Sequence, residues 1–121
     1  MLGLFSKSKE IQSFAVGLAE KLGKRYPASI DVNPEKRVSE NRLTRVLEET
    51  VADALAFQRN RSLGLLGKAK LGNEFRWKLK EMGYSSQFVD VATEAVTISV
   101  ARGAAPIAPG SEGDGPGAAK S

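Results

Sequence analysis

The chain has 121 residues and a net charge of +4, with 18 Lys and Arg against 14 Asp and Glu, and it contains neither cysteine nor histidine. That length suits a single domain, and the two missing residue types exclude disulfides, thiolate chemistry, Ser-His-Asp triads and the usual structural zinc sites. No apolar run approaches the ~18–20 residues of a membrane-spanning helix, and the N-terminus places its apolar residues ahead of its charges, unlike a secretory signal, so a cytoplasmic location is expected.

Residues 1–102 are expected to form one all-α domain, a small bundle of four to five helices. In the first segment Ile11, Phe14, Ala15, Leu18, Ala19 and Leu22 recur at steps of three and four, the stripe of a 3.6-residue period. Ser6 or Ser8 can cap its start, and Gly23 with Pro27 beyond it marks its end. A second helix is expected from Asn33-Pro34-Glu35, where Asn accepts from free amides, Pro is preset for the first turn and Glu suits the positive end of the dipole. Leu43, Val46, Leu47, Thr50, Val51, Ala54 and Leu55 form its apolar stripe as far as about Asn60. That is more apolar surface than a short hairpin covers, which raises a homodimer as one expectation.

Gly64, Gly67 and Gly72 each weaken a helix by ~1 kcal/mol relative to Ala, so the third region is expected to be broken or in two pieces, with Asn73 as a fresh cap. Phe75, Leu79 and Met82 share its inner face, Gly83 stops it, and Tyr84 packs over the stop. Ser85 or Ser86 then caps a last helix with Phe88, Val91, Ala92, Ala95, Val96 and Ile98 inward. Thr97-Ile98-Ser99-Val100 is β-branched but has no partner strand, so it is read as helical. Residues 103–121, rich in Gly, Ala and Pro, bury too little to offset backbone ordering at ~1–2 kcal/mol per residue and are expected to be a disordered tail.

Leu2-Gly3-Leu4-Phe5-Ser6-Lys7-Ser8-Lys9 is similar to Leu63-Gly64-Leu65-Leu66-Gly67-Lys68-Ala69-Lys70 at an offset of 61 positions, which also aligns Phe14 with Phe75 and Leu18 with Leu79. Two pseudo-repeated helix-turn-helix units about a twofold axis would explain this; chance likeness between amphipathic segments would also explain it.

Catalysis would have to rest on carboxylates, Lys, Ser, Thr or Tyr. Glu48, Glu49 and Asp53 form the densest acidic group, but the helical step sets them away from Leu43, Leu47 and Val51, so they are expected to be solvated. Gly64-Leu65-Leu66-Gly67-Lys68-Ala69 lacks the spacing, the hydroxyl and the preceding strand of a phosphate loop. No catalytic residue, cofactor, metal or small-molecule substrate is expected, and the protein is read as not an enzyme.

Arg59, Arg61, Lys68, Lys70, Arg76, Lys78 and Lys80 fall within residues 59–80, and Trp77 lies among them. On a helix with Phe75, Leu79 and Met82 inward, Trp77 projects roughly 150° away, on the side of Glu74 and Glu81 with Lys80 at its edge. The preferred reading is a protein-interaction or regulatory module that uses this segment. One alternative is nucleic acid, with the cations on phosphate and the indole stacked on a base. Another is structural, the ring being covered within the same molecule by a neighbouring segment, with a cation against the indole.

Leu2, Leu4 and Phe5 with Lys7 and Lys9 form an apolar wedge with a basic collar, a second alternative of peripheral membrane contact. Folding back on the bundle, or burial in a dimer seam, are its structural readings. Over these nine residues the start is similar to the amphipathic lead-in of the signal-recognition-particle receptor GTPase, but the GTPase motifs are missing and the likeness implies no activity. Met82-Gly83-Tyr84 resembles the loop of ubiquitin-associated domains; one long apolar helix follows it here, instead of the two short helices that family needs.

Overall fold

The computed structural model describes residues 2–33, 35, 39–61 and 63–103, with the side chains of residues 2–6 excepted. Residues 104–121, which include nearly all of the expected tail, lie outside the described residues. The described residues form α1 (Leu2–Arg25), a one-turn α2 (Ala28–Asp31), α3 (Glu40–Arg59), α4 (Gly64–Met82) and α5 (Ser86–Arg102), with no strand among them. The fold is all-α, as the periodicity requires.

Contacts between helices set their directions. Glu10 pairs with Arg61 and Lys21 with Asp53, so α3 runs antiparallel to α1. Gly67 lies close to Ile11 and Gly23 close to Met82, so α4 runs parallel to α1. Gly72 meets Thr97 and Arg76 pairs with Asp90, which turns α5 back again. α4 packs on α1 and α5, and α3 packs on α5 and α1, closing a four-helix ring. The hairpins α1–α3 and α4–α5 therefore stand side by side with like helices parallel. α1 and α4, whose starts are similar in sequence, are thus adjacent and parallel.

The core is built from Ile11, Ala15, Leu18, Ala19 and Leu22 of α1, Val46, Ala54 and Phe57 of α3, Leu71, Phe75 and Leu79 of α4, and Phe88, Val89, Ala92, Val96 and Val100 of α5. Each fully buried large side chain is worth ~1.5–3 kcal/mol of transfer free energy. Phe14, on the rim, stacks on Phe57 with ring centroids 4.0 Å apart. Val51 and Leu55 are also buried within the single chain, while Leu43 and Leu47 are partly buried.

Four expectations change. Asn33 Oδ1 does accept from the Glu35 amide, at 2.9 Å, but the helix begins later, where the Ser39 hydroxyl accepts from the Arg42 amide. Pro34 and residues 36–38 lie outside the described residues. Gly23 sits inside α1, not at its end. α4 is one helix through Gly67 and Gly72, because both glycines face neighbouring helices at close range. Val91 and Ile98 point outward, at 47% and 38% exposure, while Val89, Thr93, Ser99 and Val100 take the inner arc of α5. The Gly83 stop is as read, in the left-handed conformation at φ 99°, and the Ser85 hydroxyl accepts from the Phe88 amide; Gly103, expected as the start of the tail, caps α5 in the same way at φ 74°.

Candidate interaction surface

α4 sorts its residues by direction. Leu71, Phe75 and Leu79 are fully buried. Leu66, Ala69, Asn73, Trp77 and Lys80 are all exposed, and at steps of three and four they form one outward row. Trp77 is 61% exposed, with Lys80 Nζ 5.3 Å from its ring centroid. A cation so placed shields only one part of the indole. Trp77 is therefore not covered by another segment of the described chain.

The basic block does not make one surface. Arg61 pairs with Glu10 at 2.6 Å and lies over the Phe57 ring. Lys70 reaches Glu74 at 3.2 Å, Arg76 reaches Asp90 at 3.1 Å, and Lys78 lies between Glu81 at 3.0 Å and Glu20 at 3.9 Å. Arg59 and Lys68 make no ion pair among the described residues. The helical step thus turns part of the block toward α1 and α5, where it holds the bundle together.

Two leucines missing from the sequence-derived candidates stand out. Leu65 and Leu66 are 84% and 86% exposed at the start of α4. They could have been found: Leu66 and Trp77 are eleven residues apart, about 20° around the helix, so both project from the outer side. Beside them a groove of about 600 Å³ is lined by Lys7, Ser8, Ile11, Leu63, Gly67 and Lys70 together with the leucines. Leu2, Leu4 and Phe5 belong to the first turns of α1, next to this groove in the chain; their side chains lie outside the description. Lys9 is exposed on the next turn.

Of the acidic group of α3, Glu48 is exposed as expected, whereas Glu49 and Asp53 do not face open water. Glu49 pairs with Arg25 and Asp53 with Lys21, because the buried arc of α3 centres on Val46, Thr50, Ala54 and Phe57, which brings Glu49 and Asp53 to its edge against α1. The hydrogen bond from Lys21 to Asp53 and their Coulomb attraction raise the lysine pKa. Among the described residues no three acidic side chains converge as a metal ion would need, and no helix is long and apolar enough to cross a membrane.

At the opposite end of the bundle, Tyr26, Tyr84 and Phe88 cluster with centroids 4.8–6.1 Å apart. The Tyr84 hydroxyl donates to the Tyr26 carbonyl, and Asp31 accepts from both the Tyr26 hydroxyl and the Ser85 amide, each at 2.8 Å. Burial pushes the Tyr84 hydroxyl up to about 12, with the Asp31 charge adding to it, and burial followed by the Asp31 hydrogen bond raises Tyr26 as well. This cluster ties the α2 turn to the start of α5.

The class defined by fold and surface is a small all-α bundle that displays an aromatic and aliphatic row on one helix. No protein-family model, curated protein or solved structure matches the chain.

Proposed function

We propose that the chain is a non-catalytic helical module that binds a protein partner through the outward row of α4, with Trp77 as the anchor. The observation that carries this is the 61% exposure of the only tryptophan, on a helix whose opposite side is fully buried. Tryptophan is among the side chains most enriched at the energetic centres of protein interfaces, because covering its large apolar ring removes much surface from water. Ala69 and Asn73 keep the row low on the N-terminal side of Trp77, so a partner segment can lie against the indole from there. The nucleic-acid alternative is the weaker one: Arg61, Lys70, Arg76 and Lys78 are already engaged with carboxylates, and Glu74 and Glu81 flank the indole. In α3, Glu49 and Asp53 are held by cations of α1 instead of being paired for acid–base work.

The test is photo-crosslinking in cells with Trp77→benzoylphenylalanine, and Glu94→benzoylphenylalanine on α5 as control. A discrete protein adduct at position 77 and none at 94 is the expected result, a second copy of the chain being one identity it can have. Trp77→Ala should leave the thermal melt unchanged. No adduct above the control, or a melt lowered by more than about 5 °C, which corresponds to a packed side chain, overturns the reading.

A further inference from the structure

The two leucine-glycine-leucine starts that look alike in sequence come together in the fold. Because α1 and α4 run parallel with Ile11 beside Gly67, residues 2–9 and 63–70 reach the same end of the bundle. The Arg61–Glu10 pair brings the end of α3 there, and Thr97 against Gly72 brings the last turn of α5. Across residues 2–10, 59–61, 63–70 and 98–102 the only carboxylate is Glu10, which Arg61 occupies. Arg59, Lys68, Lys70 and Arg102 leave this end positive, even with Lys70 also reaching Glu74. Out of it project Leu65 and Leu66, the most exposed large apolar side chains among the described residues.

We infer that this end of the bundle is a docking face for an anionic lipid surface. Leu65 and Leu66 enter the boundary between headgroups and acyl chains, and Lys68 with its neighbours lies among the lipid phosphates. Aliphatic side chains ringed by cations of one sign suit that boundary, where apolar burial and charge attraction add. Protein interfaces are depleted in lysine at their centres, and a nucleic-acid backbone has little to offer two bare leucines. The surface is distinct from the Trp77 anchor, which lies ~16 Å farther along α4 at 1.5 Å per residue, so either reading can fail without the other.

The experiment is co-sedimentation of the full chain with vesicles of phosphatidylcholine alone and of phosphatidylcholine with phosphatidylglycerol. The expected result is pelleting with the anionic vesicles, weakened by salt, and little with the neutral ones. Leu65→Ser/Leu66→Ser should reduce partitioning more than ~10-fold, through loss of apolar burial. Lys68→Glu should reduce it on the order of 10-fold by reversing one charge at the surface. Both variants should melt like the parent. Equal pelleting of the leucine variant, or no preference for anionic vesicles, overturns the inference. So does sedimentation analysis in which the leucine substitutions turn a dimer into a monomer, which would assign the leucines to a second copy.

Discussion

Replacing Gly72 by alanine should destabilise the protein, although alanine is the better helix former by ~1 kcal/mol. Gly72 is buried in α4 against α5, and a Cβ there would stand 2.3 Å from Thr97 Cγ2, more than an ångström inside the ~3.5–4.0 Å of a good carbon contact. Relief requires Thr97 to turn, giving up the bond from its hydroxyl to the Glu94 carbonyl at 3.2 Å, or α4 and α5 to part. Overpacking of this kind costs ~1–3 kcal/mol, so the net loss after the gain in propensity is ~0–2 kcal/mol and centres on ~1 kcal/mol, a fall of several degrees in Tm for about 100 folded residues. Thr97→Ser deletes the offending methyl and keeps the hydroxyl. In that background Gly72→Ala should become neutral or stabilising, by up to ~1 kcal/mol. Thermal and urea unfolding of the four proteins, followed by circular dichroism, closes the double-mutant cycle. If Gly72→Ala is as stable as the parent, or if Thr97→Ser leaves its penalty unchanged, close helix approach is not the reason α4 carries this glycine.

The same substitution at Gly23 should go the other way. Its Cβ would meet Met82 Cε at 2.6 Å, the far end of a flexible side chain, so Gly23→Ala is expected to raise Tm, reflecting up to ~1 kcal/mol. Thr93 is buried and its hydroxyl has no hydrogen-bond partner among the described residues; Thr93→Val keeps the shape and should stabilise by ~1 kcal/mol in urea unfolding. For Tyr84 the folded chain holds its proton to about 12, whereas an unfolded tyrosine ionises near ~10. The stability from this group is therefore complete below pH ~10 and is lost as pH rises through the folded value. Urea unfolding across that range should show the loss, and Tyr84→Phe should reduce its slope.

Much of the fold could be read from local chemistry, and what could not depended on which helix lies beside which. The stripe of α1, the Ser85 cap and the Gly83 stop each rest on residues within one turn of one another, and the chain makes them as read. The expected break in α4 treated Gly67 and Gly72 as weak points of an isolated helix. Their cost is offset by close approach to Ile11 of α1 and Thr97 of α5, which no spacing within the segment reveals. α5 carries apolar residues on most of its circumference, so periodicity alone could not choose between Val91 and Val89; the positions of α3 and α4 choose Val89. Likewise the outward direction of Trp77 followed from the 100° step, while the partners of the surrounding cations came from other helices, as Asp90 and Glu20 show.

A run of charge along a helical sequence divides by direction once the helix has neighbours. Arg76 turns to α5, and Lys78 lies near both Glu20 of α1 and Glu81 of its own helix, so removing either cation should register in the melt more than in binding. Such exposed pairs are worth ~0–1 kcal/mol each, which makes the effect small but places it on stability. Lys80 serves the indole, and Lys68 lies at the leucine end with no carboxylate of its own. The two surfaces proposed for α4 therefore draw on different cations of one block. With benzoylphenylalanine moved to the exposed Asn73 of the same row, Trp77→Ala should abolish the protein adduct and leave vesicle binding intact, and Leu65→Ser/Leu66→Ser should do the reverse. If both variants lost both properties, α4 would present a single continuous surface, and the division of its charges by direction would not be what separates its functions.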